Sequence, residues 1–333
     1  MLKQMDEKSI KIAVIGTGGW GKNHVRVLND LGVLSAICDS DENRSQALAK
    51  KFKINSYLTV EQLLEKETSL DACLVCTPTK THFPVAQEII KHGINVFVEK
   101  PLSFSSIECE ELTKLSKQNN VILTSGYIER FNPAVQDLKQ IIDDNTYGEL
   151  LMMEFHRENR MPMHIKDVGI IYDTSVHDID TALFIFDSKP NVVFARAGKK
   201  FHNSEDFATI MLGFPNQKVA IIASNWITPK KVRRFSAVCS EGTITGDFIT
   251  QEIKIDDENQ TIIPRRNIRE PLTLELENFV KSLSGNITKY LVTPEDATAV
   301  TKIAEAALIS SNTGRPFTFL SDVSVLLLII YTF

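Results

Sequence analysis

Three groups of residues in this chain have the types and spacing that proton and hydride chemistry needs. In VFVEKPLS an apolar run stops abruptly at Glu99, Lys100 and Pro101. In DTSVHDID, Asp173 stands four residues before His177 and Asp180 three after it, so on a helix the imidazole shares a face with two carboxylates. A lysine or a histidine of this kind removes a hydroxyl proton, and a lysine in a dry crevice serves as base once its pKa is lowered. The third group is AVIGTGGWGKNHVRVL, where Gly16, Gly18 and Gly21 fall in G-x-G-x-x-G spacing, with Thr17, Gly19 and Trp20 filling the loop. The first glycine permits a tight turn, the second lets a pyrophosphate approach the backbone, and the third lets helix and strand pack closely. The helix that follows offers free N–H groups and the positive end of its dipole.

Alone, each signal has a plainer explanation: a solvated Glu–Lys pair, a satisfied core histidine, an ordinary strand-to-helix turn. The order of elements decides between them. Apolar runs at 10–15, 33–38, 72–76, 94–98 and 121–125 alternate with amphipathic helical stretches, which predicts a doubly wound parallel sheet over residues 1–126. Ligands bind such a sheet outside the carboxyl ends of its strands. Glu99 and Lys100 stand at one such end, and Thr77, Pro78, Thr79 and His82 follow another. Pro101 restricts the backbone of Lys100 and can adopt a cis bond, fixing where the ammonium points. Asp39 lies eighteen residues beyond Gly21 at the end of the second strand, where a carboxylate meets ribose hydroxyls and repels a 2′-phosphate. NAD is expected over NADP.

From Tyr127 the pattern changes to longer runs with period-two alternation, including LLMMEFHRE, NVVFARAG, FATIMLGF and KVAIIASNWI. These predict an α+β domain over 127–320 with a large, mostly antiparallel open sheet and helices at 132–143, 174–186, 272–284 and 294–311, the last packing back on the first domain. The tail 321–333 ends in SVLLLIIYTF, a nearly unbroken apolar run that calls for a buried partner. Cys73 and Cys76 form a CxxC on a predicted strand, where positions three apart face opposite ways, so they are read as core thiols and no metal is expected.

Across 333 residues the net charge is −5, which gives no general reason to expect nucleic acid or an anionic membrane and favours a small-molecule partner. The N-terminal MLKQMDEKSI has no apolar core segment of a signal peptide, so a cytoplasmic location is the expectation.

The combination of GTGGWG, VCTPTKTH, VEKP and YDTSVHDID, in this order and spacing, resembles the glucose–fructose oxidoreductase/inositol dehydrogenase (Gfo/Idh/MocA) family of nicotinamide-dependent enzymes, over residues 10 to 319. The resemblance implies that Lys100 contacts the substrate hydroxyl and the nicotinamide region. It also implies that the Asp173/His177 element faces the nicotinamide from the second domain, with Asp180 structural.

Oxidation of a secondary alcohol would then give the hydride to NAD and the proton to His177, with Lys100 polarising the oxygen and Asp173 anchoring a hydroxyl; Lys100 and His177 can exchange roles. GYIERFNPAV and the segment 156–180 look like the branch that contains UDP-N-acetylglucosamine 3-dehydrogenases, since sugar-only relatives often carry a GGG run where this chain has DVGIIYD. The expected product is a 3-keto UDP-N-acetylhexosamine, which a sugar aminotransferase could take up. Tyr127, Arg130, Asn132, Arg157, Arg160 and Lys166 are the candidates for the substrate, the cations for its diphosphate. Asn132 could equally cap the helix that starts at Pro133. By analogy the protein is a homodimer or homotetramer. Alternatives are a free-sugar or myo-inositol dehydrogenase and, from another class, a non-catalytic dinucleotide sensor.

Overall fold

The computed structural model describes residues 10–160 and 168–319. Lys166 and the apolar tail 321–333 lie outside the described residues. The chain forms two compact units. The first holds the described residues up to Gly126 together with Leu272–Ala297; the second holds those from Tyr127 to Pro271 and from Thr298 on.

The first unit is built on six strands: β1 (Ile12–Ile15), β2 (Leu34–Cys38), β3 (Asn55–Tyr57), β4 (Ala72–Val75), β5 (Asn95–Glu99) and β6 (Leu123–Gly126). They form one sheet in the order β3-β2-β1-β4-β5-β6, with every pair parallel. β1 and β4 are buried along their whole length, as continuous apolar runs in a sheet covered on both faces should be. The helices are α1 (Gly21–Asp30), α2 (Glu42–Phe52), α3 (Val60–Lys66), α4 (His82–Lys91) and α5 (Ser106–Asn119). Asp41 caps α2 by accepting the Arg44 amide at 3.1 Å, and Ser105 caps α5 in the same manner. The late segment is fastened to this unit by an edge-on contact of Phe97 with Phe279, ring centroids 5.5 Å apart, and by the Thr124 hydroxyl, which donates to the Val292 carbonyl at 2.8 Å. Cys73 is sealed inside β4 and Cys76 follows its end; burial pushes both thiols up, as suits core cysteines.

The second unit carries nine strands: β7 (Leu150–Glu158), β8 (Val192–Gly198), β9 (Phe207–Gly213), β10 (Val219–Asn225), β11 (Val232–Cys239), β12 (Thr243–Asp247), β13 (Glu252–Asp256), β14 (Thr261–Ile262) and β15 (Phe317–Thr318). Their order is β14-β13-β12-β11-β7-β10-β9-β8-β15, antiparallel except where β7 meets β10. The later helices of the chain are α6 (Pro133–Asp143), α7 (Val176–Phe186), α8 (Pro271–Leu283) and α9 (Pro294–Thr313). One face of the sheet is buried, with Met153, Phe155 and Arg157 on β7, Ala220 and Ile222 on β10, and Phe235 and Ala237 on β11. The opposite face shows Phe207 and Met211 to solvent. Among the described residues no helix is long and apolar enough to cross a membrane.

Candidate functional site

In the first unit the glycine loop joins β1 to α1. Gly16 has φ +86°, and a side chain there would meet the Cys76 carbonyl at 2.7 Å; one at Gly21 would meet the Gly16 carbonyl at 1.9 Å. These two glycines are required by the protein's own backbone. Gly18 is different, since a Cβ there has only the Arg44 Nη1 atom in range, at 3.8 Å. The open flank at Gly18 and the helix start behind it fit a dinucleotide pyrophosphate.

Asp39, just past β2, is buried and heavily engaged. Its Oδ2 accepts from the Thr17 amide and hydroxyl, both at 2.7 Å; its Oδ1 accepts from the Asp41 amide at 2.9 Å. Arg44 reaches both oxygens, at 3.1 and 3.3 Å. Burial pushes this carboxyl up, but the Asp41 and Thr17 hydrogen bonds and the Arg44 charge outweigh it and hold the group below the usual range. With about four lone-pair sites on a carboxylate, a ribose hydroxyl must share or displace the Arg44 contact. Sequence reasoning missed Arg44. Asp39→Asn is expected to weaken NADH binding about tenfold and to narrow the preference over NADPH, the carboxylate being what opposes a 2′-phosphate beside that arginine. Paired NADH and NADPH titrations read this directly, and an unchanged ratio would reduce Asp39 to a loop clamp.

At the end of β5 the two charges of VFVEKPLS separate. Glu99 turns inward. Its Oε1 lies 2.6 Å from His24 Nε2, and its Oε2 accepts the Lys100 amide at 3.1 Å. Burial pushes the Glu99 carboxyl up, but His24 and Lys100 outweigh it and keep it ionised. The Lys100–Pro101 bond is cis. His82 braces the next peptide from α4, its ring nitrogens 2.8 Å from the carbonyl oxygens of Pro101 and Thr77, and burial lowers its pKa. Glu99 and His82, expected at the cofactor, are thus buried struts that set the Lys100 backbone. Lys100 itself is half-buried, while Thr77 and Pro78 stand more open than Thr79. His24, three residues beyond Gly21 on α1, was the missed partner of Glu99.

In the second unit, Asp173 lies in a single π-helical turn, Ile171–Ser175, that leads directly into α7. Such turns are rare and often sit at functional sites. From Gly169 to Ile185 every residue is buried except Asp173 and His177. The edge of this pair is polar: Thr174 donates to Asp173 Oδ2 at 3.1 Å, and Trp226 Nε1 donates to the Thr174 hydroxyl at 3.2 Å. Tyr127 is fully buried and meets the His177 ring edge-on, centroids 6.4 Å apart.

The arginines expected at a diphosphate lie elsewhere. Arg130 is buried and forks onto Asp180, with contacts of 2.6 to 3.1 Å. Arg157 is fully buried, forks onto Asp178 at 2.7 to 3.1 Å and reaches Glu129 at 2.8 Å. Neither guanidinium faces outward, which corrects the sequence-based expectation for both. Asn132 is also buried; its Oδ1 accepts the Ala134 amide at 3.1 Å and its amide donates to the Phe248 carbonyl at 2.9 Å, so it serves as the cap of α6. Arg160 is exposed just past β7.

Comparison with known proteins agrees with this architecture. A sequence model of the Gfo/Idh/MocA oxidoreductase family, NAD-binding Rossmann fold, matches residues 10–127, and one of its C-terminal domain matches 135–245. The chain is 24% identical to the UDP-N-acetylglucosamine 3-dehydrogenase of Acidithiobacillus ferrooxidans, over 83% of this chain and 90% of that protein. It is 26% identical to the scyllo-inositol 2-dehydrogenase (NAD(+)) of Bacillus subtilis, over 93% and 96%. The solved structure of the Acidithiobacillus enzyme superposes with a TM-score of 0.85 at 23% identity, covering 91% of this chain and 98% of that one. A parallel sheet with an open glycine flank and a mostly antiparallel second sheet, matched by both domain models in their proper order, places this chain in the Gfo/Idh/MocA family of NAD-binding oxidoreductases.

Proposed function

We propose that the protein is an NAD-dependent dehydrogenase that oxidises a secondary alcohol of a sugar, and that its substrate is the 3-hydroxyl of a UDP-N-acetylhexosamine. The observation that carries the reading is the exposure pattern of the second unit, where Asp173 and His177 alone break a buried run from Gly169 to Ile185. A carboxylate and an imidazole, half-buried at the two gaps of an otherwise sealed helix start, are titratable groups placed where a ligand can reach them. NAD, when bound, supplies the hydride acceptor. Lys100 polarises the hydroxyl oxygen, His177 takes its proton as the C–H hydride leaves and the carbonyl forms, and Asp173 holds a neighbouring hydroxyl.

The likeness to a UDP-N-acetylglucosamine 3-dehydrogenase supports the nucleotide sugar. A free-polyol substrate is the second reading, favoured by the inositol dehydrogenase that aligns along nearly the whole chain. A pure dinucleotide sensor has no use for Lys100, Asp173 and His177 together. Nicotinamide reduction by the purified protein is expected with UDP-N-acetylglucosamine or its C4 epimer, in the presence of a ketone trap, and not with glucose or myo-inositol. Reduction by myo-inositol alone would overturn the nucleotide-sugar assignment, and no reduction with any alcohol would favour the sensor.

A further inference from the structure

The buried face of the second sheet has a row of side chains that leads out from under the helices. β7 and β11 pair so that Phe235 lies opposite Phe155 and Arg233 opposite Arg157. Residues directly opposite in an antiparallel pair point to the same side. Cys239, Ala237 and Phe235 are buried along this row, Arg233 is half-buried, and Lys231, just ahead of the strand, is exposed. The row therefore ends in Arg233, with Lys231 two residues before it in the chain, at the margin of the face that α7 covers through the Arg157–Asp178 fork.

Arg233 is not consumed by its neighbours. Its Nη1 stands 3.8 Å from Glu129 Oε1, beyond hydrogen-bond reach, while Arg157 holds that same oxygen at 2.8 Å. Its Nε is buried without a hydrogen-bond partner among the described residues. An arginine kept only to balance Glu129 would close that contact and satisfy the buried N–H. The surroundings point the same way. The Arg233 charge, and burial after it, hold the Lys231 ammonium below its ordinary value, and burial together with the Arg157 charge does the same to Arg233. Two neighbouring cations, one of them with a buried N–H donor unused, suit an anion, and a guanidinium fork suits a phosphate best.

We propose that Arg233 and Lys231 anchor a phosphate-bearing group of the substrate, the diphosphate of a nucleotide-linked sugar, in the role that sequence reasoning gave to Arg130 and Arg157. This rests on the nucleotide-sugar reading above. The test uses the full-length protein with NAD, UDP-N-acetylglucosamine as substrate and UDP as the binding probe. Arg233→Ala is expected to raise KM about thirtyfold and to weaken UDP binding in calorimetry as much, with kcat changed less than about threefold. Lys231→Ala is expected to cost about fivefold in both. Arg233→Lys should fall between wild type and alanine, because an ammonium keeps the charge but lacks the fork. NADH binding should stay at the wild-type level in all three, and if Arg233→Ala does not fold, the other two variants decide. A wild type that turns over UDP-sugars, with variants whose KM and UDP affinity are unmoved, overturns the anchor and leaves the function standing. A wild type that oxidises only neutral polyols and does not bind UDP removes the reading, and the anchor with it.

Discussion

Lys100→Ala is expected to lower turnover about a thousandfold while changing NADH affinity by no more than about threefold. The backbone at this position is pinned independently of the side chain. Glu99 accepts the Lys100 amide at 3.1 Å and is itself held by His24 at 2.6 Å, and His82 lies 2.8 Å from the following carbonyl. Truncation thus removes the ammonium and leaves the frame that carried it. The glycine loop, whose turn is set by Gly16 and Gly21 against Cys76, has no stake in the change. Stopped-flow or steady-state rates give the first quantity; quenching of Trp20, which is exposed in the loop, gives the second. Equal loss of rate and NADH affinity would make Lys100 a strut like its neighbours. His177→Asn in the same assay separates the two candidate bases: loss of the acidic limb of the pH–rate profile assigns the proton to His177, and its persistence assigns it to Lys100.

Much of this frame was legible because it is local. Continuous apolar runs ending in glycine, threonine–proline or charge gave five of the six parallel strands and the point where ligands approach. β3 was not legible, since Asn55–Tyr57 has neither the length nor the alternation of a strand and is held by pairing with β2. The helix at DTSVHDID was expected from residue 174, yet the π turn ahead of α7, which holds Asp173, has no sequence signature that a 3.6-residue period could reveal.

The site was harder to read, for a physical reason. Residue type shows which groups carry charge; burial and distant pairing decide which of them a ligand can use. In LLMMEFHRE the signal for Arg157 was present. Met153, Phe155 and Arg157 share one side of the strand and Glu154, His156 and Glu158 the other, so Arg157 belongs with the apolar set and enters the core. Its partner carboxylates, Glu129 and Asp178, come from separate elements, and no local pattern announces them. The same holds for Arg233, whose place beside Arg157 depends on the pairing of β11 with β7 across 75 intervening positions.

Breaking that buried network should be costly for the second unit, because it leaves charges buried without their partner. Arg157→Met is expected to cost about 3–5 kcal/mol, the usual consequence of removing one member of a buried charge cluster. For a unit of this size that corresponds to a fall in Tm on the order of 10 °C. The methionine fills part of the space, and the loss of packing over Phe248, whose ring centroid lies 4.9 Å from the guanidinium, adds to the cost. The larger part is electrostatic. Asp178 and Glu129, both buried, would face each other with only Arg233 at 3.8 Å to offset them. In the wild type, burial already pushes the Asp178 carboxyl up and Arg157 pulls it back. Without Arg157 the folded-state value rises further above that of the unfolded chain. The folded variant then binds more protons than its unfolded form, so its stability declines as pH rises through the folded-state value and recovers on acidification. Thermal melts of wild type and variant between pH 5 and 8 should therefore converge toward the acid end. Arg157→Met combined with Asp178→Leu should regain a substantial part of the loss, because an apolar pair of similar volume is often no worse than the ion pair it replaces. A Tm within about 2 °C of wild type for the single variant, or a gap that does not narrow toward pH 5, would show that the Arg157 network contributes little net free energy.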